Sequence, residues 1–351
     1  MLCVRSIETL VDVPLDGAHW DWGEAPPTHV DHLGRACIAL ETPIATVAGL
    51  ELEDGVIELD LAIGAERGFH GVVWRLLDPE SYESFFVRPH QMGNPDAVQY
   101  TPVCNDISAW QLYHGPGYWA PIVFPLGEWF TIRLAFQGSR AEAFVGATDE
   151  PSLVVAGLKR PVLPGKVGIM AGRPTIHVAR FAYGREAALG APGPPPAPPA
   201  AGVVTHWHVS DAFPEALLHG ATTLPAELVA QRSWTELAAE PSGLADLARV
   251  NGVRDGRNTV LARATLRAER DEVRPLELGF SDRAVAYLNG RALYRGDDGY
   301  RSRDYRFLGS IGFYDTLFLP LTAGDNDLVV AVSEDFGGWG VQARLGSHGT
   351  G

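Results

Sequence analysis

The chain has 351 residues, 46% of them hydrophobic and 20% charged, a balance that excludes a wholly disordered chain and leaves room for two domains with separate cores. Its 43 acidic and 28 basic residues give a formal charge of -15, a field that repels phosphate backbones and anionic lipids. Neither nucleic acid nor a membrane is therefore an expected partner.

The three cysteines, Cys3, Cys37 and Cys104, are odd in number and lack metal-site spacing, so they outline neither a disulfide framework nor a zinc site. Near the N-terminus Arg5 and Glu8 interrupt the apolar run a signal peptide needs, and no stretch approaches the length of a membrane span. The expectation is a cytoplasmic protein, or an extracellular one if a leader has been removed.

The first part of the chain reads as short β runs between Gly, Pro and Asp clusters, with no long helical periodicity. These runs include Gly55 to Ile63, Phe69 to Leu77, Tyr82 to Arg88 and Trp129 to Phe136. Within the first, Ile57, Leu59, Leu61 and Ile63 alternate with Val56, Glu58, Asp60 and Ala62, the period-two pattern of a half-buried strand. Evenly spaced strands of this kind predict an antiparallel β-sandwich.

From Ala191 to Gly202 the sequence holds six prolines, which lack backbone donors and favour extended polyproline II. This stretch predicts a semi-rigid interdomain linker. Beyond it, Trp207 to Phe213 opens a second domain, a helix-compatible patch follows from Leu224 to Leu237, and strands resume at Thr259 to Leu266, Leu276 to Phe280, Ala284 to Leu288, Thr316 to Leu319 and Asp327 to Val332. The pair Asn289 and Gly290 between apolar runs signals a hairpin, because both residues tolerate positive φ. The expected fold is all-β: two antiparallel β-sandwich (jelly-roll) domains, 1–186 and 203–351, joined by the Pro-rich linker 187–202.

The stretch Phe69 to Gln91 carries the most information about function. If Leu77 pairs with Tyr82 across the four-residue turn starting at Asp78, Arg75 faces Ser84, Val73 faces Phe86 and Gly71 faces Arg88, all on one face. Val72, Trp74, Leu76, Phe85 and Val87 then form a core layer, with Glu83 near the turn. Arg75 and Arg88, with His90, gather on the opposite face, where charged groups require water, a carboxylate or a ligand. Asn94, Asp96, Gln99, Tyr100, Trp110, Gln111 and Tyr113 follow closely. Rings pack on the C–H faces of sugars, while amides, carboxylates and guanidinium groups bond their hydroxyls, so this mixture suits a glycan or another small-molecule ligand. Pairing of Arg75 and Arg88 with Asp78, Asp96 or Glu83 to tie down the hairpin is the competing explanation. If the face carries chemistry, His90 is the proton shuttle, Asp96 or Glu83 its carboxylate partner, and Arg75 or Arg88 the group that stabilises a developing oxyanion.

The runs Gly71 to Arg75, Tyr82 to His90, Gln99 to Pro102 and Gly165 to Ile169 resemble those of concanavalin A-like lectin/glucanase sandwiches, nearest to the laminin G-like and 3-keto-glycoside hydrolase domains. The resemblance covers about residues 50 to 184 and implies a jelly-roll with ligand on its concave face. The paired-carboxylate strand of the lectin-like glucanases is absent as a clean motif; Glu51, Glu53, Asp54, Glu58 and Asp60 are the nearest carboxylates. Val285 to Tyr294, Tyr300 to Asp304, Phe318 to Leu328 and Phe336 to Gly340 are similar to the galactose-binding-like domain of family-two glycoside hydrolases, across about residues 207 to 345. Trp339, set among glycines, is a candidate stacking residue or a residue packed beneath a loop. Asn289 and Asn326 are architectural in that family.

His206 and His208 share one face of an extended segment without a third ligand nearby. The acidic pairs Asp297 with Asp298 and Asp325 with Asp327 lack calcium-loop spacing. No metal and no cofactor are expected, and the oligomeric state is open. Three functions remain: a carbohydrate-binding or carbohydrate-processing protein, with glycoside hydrolysis as one form of it; an intracellular small-molecule biosynthetic enzyme, a cyclase or isomerase; and a non-catalytic interaction module.

Overall fold

A computed structural model describes residues 10–23, 25–195 and 197–347. Cys3, Arg5, Glu8 and the linker residue Pro196 lie outside the described residues. The protein is all-β: among the described residues every strand ladder is antiparallel, and the only α-helix is Ala226–Ala230. No helix among them is long and apolar enough to cross a membrane. Cys37 and Cys104 are buried free thiols.

The chain divides into two compact units, one comprising Met1–Val103 and Tyr113–Gly193, the other Cys104–Leu112 and Pro194–Gly351. The segment Cys104–Leu112, which the sequence places inside the first domain, thus belongs to the second unit. Between Glu186 and Gly193 the chain has no regular structure, yet the Gly190 N–H donates to Glu142 (2.8 Å) and Arg140 donates to the Gly190 carbonyl (3.0 Å). The first residues of the expected linker are therefore tied to the first unit.

In the first unit two sheets face each other. One runs in the order Leu153–Val155, Arg140–Val145, Trp129–Gln137, Gly55–Ala62, Ile176–Gly184, Arg35–Leu40 and Thr28–His32. The other places Val98–Cys104, Ser81–Val87, His70–Asp78, Gly165–Met170, Ile44–Leu52 and Trp20–Asp21 side by side. Between them lies a continuous apolar core that includes Ile57, Leu59, Leu61, Val72, Trp74, Phe85, Val87 and Phe136. The alternation in Gly55–Ala62 holds where it matters: the odd positions enter the core, while Glu58 and Asp60 stay half-buried. There they bond basic side chains of the same sheet, Glu58 with Arg180 on the adjacent strand (2.7 Å) and Asp60 with Arg35 one strand further on (3.0 Å).

The His70–Asp78 and Ser81–Val87 hairpin differs from its expected register. Val73 pairs with Ser84 and Gly71 with Phe86, and beyond Trp74 the ladder is broken by a bulge before resuming at Asp78 opposite Ser81. The turn is tighter than the sequence suggests because Asp78 accepts the Glu80 N–H (2.8 Å), and the surplus residues collect in the bulge. Arg75 sits there at φ 48°, 1% exposed. Its guanidinium donates to the Glu53 carbonyl (2.8 Å), the Gly138 carbonyl (2.7 Å) and Asp54 (3.2 Å), and it lies 5.7 Å from the Phe136 ring centroid. Asp54 also accepts the Gly138 N–H (2.8 Å), so Arg75 ties the turn that passes from its own sheet to the facing one to a hairpin turn of the facing sheet.

The second unit is a sandwich of six strands against four. The six-stranded sheet runs Trp234–Ala238, His206–Ser210, Thr259–Ala268, Gly324–Ser333, Arg283–Leu288 and Arg291–Asp297; the other contains Ala245–Asp246, Gly340–Leu345, Glu272–Ser281 and Asp315–Leu321. Trp207, Leu278, Phe280, Val330 and Trp339 share its main core with Cys104 and Ile107. Asn289 (φ 49°) and Gly290 (φ 80°) form the expected hairpin turn, and the Asn289 amide donates to Asn326 (3.0 Å). The patch expected to be helical yields one short helix and then the strand Trp234–Ala238.

Arg75→Ala removes the guanidinium from the Glu53 and Gly138 carbonyls and leaves Asp54 with the Gly138 N–H alone. It is expected to lower unfolding stability by about 3 kcal/mol, read from the midpoint of chemical denaturation.

Candidate functional site

The end of the Ser81–Val87 strand gathers part of the expected polar set. Arg88 continues that strand and is 5% exposed. Its guanidinium donates to the Asp96 carbonyl (2.9 Å), to the Asp96 carboxylate (3.2 Å) and to the Gln99 amide oxygen, and it lies 5.5 Å and 5.1 Å from the Phe69 and Phe86 ring centroids. Gln99 in turn donates to the Tyr113 carbonyl (3.0 Å). Burial, only partly offset by Asp96, pulls the Arg88 pKa down to about 10, with the nearby charge of Arg67 acting in the same direction.

His90 follows in the short 3-10 turn Pro89–Gln91, half-buried, its ring edge-on to Phe69 at 5.6 Å. Its Nδ1 is buried and unpartnered. Burial and then the charges of Arg67 and Arg88 lower its pKa below the ordinary 6.5, against an opposing pull from Asp96, so the imidazole is neutral at pH 7. His70, fully buried beside it, bonds the Ala171 carbonyl through Nδ1 (2.7 Å), while its Nε2 is also unpartnered. Arg67 is exposed, its guanidinium 5.8 Å from the Phe69 centroid. Asn94 is exposed on the same loop and donates to Gln91 (2.7 Å), while its carbonyl accepts the Ala97 N–H (3.0 Å), so it shapes the turn that carries Asp96.

Other expected members lie elsewhere. Arg75 is the clamp described above and does not meet Arg88. Glu83 points into the core with Tyr100: the Tyr100 hydroxyl donates to its carboxylate (2.6 Å), and so does the Arg160 N–H (3.2 Å). Burial raises the Glu83 pKa despite both bonds, and burial beside Glu83 raises Tyr100 well above its usual value. Strand alternation explains the separation: Glu83, Phe85 and Val87 share the core face, and Arg88 follows Phe86 on the other. Tyr113 is buried, with the Lys159 ammonium 5.1 Å from its ring centroid.

Trp110 and Gln111 belong to the second unit with the Cys104–Leu112 segment. Gln111 is fully buried: its N–H bonds the Gly337 carbonyl (2.8 Å), its amide donates to the Leu308 carbonyl (2.7 Å), and its amide oxygen accepts from Ser281 (3.2 Å). Its side chain occupies the space a Cβ would need at Gly309 and Gly337. Trp339 is likewise fully buried, its indole N–H on the Val332 carbonyl (3.0 Å), and so presents no stacking face. His206 and His208 are exposed, and among the described residues no three His, Cys, Asp or Glu side chains converge as metal ligands. Phe69 and His70 begin the stretch that the sequence marks as most informative, yet neither they nor Arg67 are among its named candidates.

No protein-family model matches the chain, and no curated protein matches it. Among solved structures it is similar to the carbohydrate-binding module CBM66 from Bacillus subtilis, at 12% identity and TM-score 0.33 over 50% of this chain and 94% of that one. A Bacillus licheniformis beta-glucanase gives 12% and 0.35 over 50% and 98%. Domain 4 of the extracellular arabinanase AbnA from Geobacillus stearothermophilus, solved with arabinotriose, gives 11% and 0.33 over 52% and 83%. Likenesses at these values carry no information about this chain's ligand.

The raised Glu83 pKa fixes a pH signature. The folded state keeps a proton that the unfolded chain releases near pH 4.5, so this carboxyl's contribution to stability declines as pH rises from there through its folded pKa. Glu83→Gln imitates the protonated acid. Denaturant unfolding at pH 4, 5.5 and 7 is expected to show the variant gaining on the parent protein as pH increases.

Proposed function

We propose that the protein binds a carbohydrate and that the first unit holds it at the cluster of Arg88, His90, Asp96 and Phe69. The observation that carries this reading is the half-exposed, neutral imidazole of His90, set edge-on to an aromatic ring and beside an immobilised guanidinium–carboxylate pair. A sugar hydroxyl both donates and accepts, which suits a neutral imidazole, and the apolar side of a pyranose suits Phe69. Arg67, exposed at the rim, adds a further donor fork.

Binding is favoured over glycoside hydrolysis by the carboxylate geometry. Hydrolysis calls for two carboxyl groups flanking one bond at about 5 to 9.5 Å. Here Asp96 is committed to Arg88 and Glu83 is enclosed with Tyr100 on the opposite face of the strand.

Calorimetric titration with neutral oligosaccharides tests the reading. Affinity is expected to be constant between pH 8 and 7 and to change only below pH 6.5, as His90 takes up a proton. His90→Ala should weaken binding about tenfold and abolish that pH dependence, since loss of a hydrogen bond in a desolvated site is worth on the order of 1 kcal/mol. Unaltered affinity in this variant would remove the cluster from consideration.

A further inference from the structure

The second unit exposes aromatic surface that its own core does not use. Tyr300 and Phe336 are 40% and 57% exposed, and Trp110 is half-buried between them. The three rings meet edge to face, with centroids 6.5 Å (Trp110 to Tyr300), 5.6 Å (Trp110 to Phe336) and 6.2 Å (Tyr300 to Phe336). They come from three separate stretches of chain: the Cys104–Leu112 segment, the loop after Arg291–Asp297 and the loop after Gly324–Ser333.

Each stretch is fixed from beneath. Asp282, 2% exposed, accepts the N–H groups of Asp335 (2.8 Å) and Phe336 (3.0 Å) on one carboxylate oxygen, and its backbone carbonyl accepts the Asp298 N–H (2.7 Å) two residues before Tyr300. Glu334, equally buried, accepts the Gly338 N–H (2.9 Å). Gln111, adjacent to Trp110, bonds the Gly337 carbonyl and fills the notch between Gly309 and Gly337. Burial raises the pKa of both Asp282 and Glu334, so these carboxyls hold the loops against their own desolvation. Such anchoring gains nothing for a core, because the rings it positions remain in water. It gains a great deal for a ligand, because a preordered surface loses little entropy on binding.

The patch is small. Two partly exposed rings and the edge of a third offer on the order of 200 Å², from the area an aromatic side chain carries, whereas a stable protein interface needs about 800 Å² on each side. The rings are mutually tilted by 64° to 79°, which suits one compact ligand rather than a flat surface. Arg301 stands at the rim, exposed, at φ 65°, its guanidinium 4.9 Å from the Tyr300 centroid and with no carboxylate partner among the described residues. A planar donor fork beside tilted rings matches adjacent hydroxyls next to a C–H face.

We propose that Trp110, Tyr300 and Phe336, with Arg301 at their rim, form a second ligand site, on the second unit, for the apolar face of a neutral sugar ring. This site is independent of the His90 cluster. Calorimetry with neutral gluco- and galacto-oligosaccharides on the full chain should register two binding events. Phe336→Ala and Tyr300→Ala should each weaken one of them about tenfold, with melting temperatures close to that of the parent protein because both side chains are exposed. Phe336→Leu, which keeps bulk without a ring face, should fall between. His90→Ala should weaken the other event and leave this one unchanged. The proposal is overturned if a folded Tyr300→Ala, Phe336→Ala double variant keeps both events, if the His90→Ala protein binds no neutral sugar, or if only acidic oligosaccharides bind at the aromatic patch.

Discussion

A guanidinium cannot enter a β-sandwich without acceptors to replace its water, and Arg75 meets that constraint by drawing onto itself the turn that joins the two sheets and a hairpin turn of the opposite sheet. The bulge that turns it inward also fixes the pairing of the His70–Asp78 and Ser81–Val87 hairpin. The bulge changes the face of Arg75 itself: the two-residue shift it introduces preserves the alternation of the partner strand, which keeps Glu83 inside and Arg88 outside the core.

The same physical device recurs at the surface. Arg88, buried, holds the Asp96 loop by its carbonyl and carboxylate, which leaves Phe69 and His90 at the rim. In the second unit Asp282 and Glu334 hold the loop of Phe336 by three N–H groups. In both cases a buried polar group orders a loop and an aromatic ring is left partly in solvent. That combination is a poor way to stabilise a sandwich and a good way to keep a binding surface ready.

Much of this was legible in the sequence, for local reasons. The alternation through Ile57, Leu59 and Leu61, the Asn289–Gly290 turn and the inward set of Val72, Trp74, Phe85 and Val87 follow from period and turn chemistry alone. The partnership of Arg88 with Asp96 was open to inference because the two are eight residues apart on one loop. What escaped depends on distant backbone. An unbroken ladder would set Arg75 on the face of Arg88, and alternation in the sequence carries no sign of the bulge that turns it inward. Gln111 and Trp339 carry the residue types of a sugar site, yet both are enclosed: Gln111 by Gly309 and Gly337, which stand 198 and 226 positions further along, and Trp339 by the second unit's core.

The assignment of Cys104–Leu112 to the second unit also changes how the two units are joined. The chain passes from one to the other three times, after Val103, after Leu112 and after Gly193. Hydrolysis of one peptide bond among the prolines would give two fragments, of which the first would still carry Cys104–Leu112 and would hold the second only through the non-covalent packing of that segment. A fragment beginning after the prolines would lack the glutamine that fills its glycine notch and the Cys104 and Ile107 side chains of its core. The proline stretch marks a boundary in composition, whereas the second unit is built from residues on both sides of it.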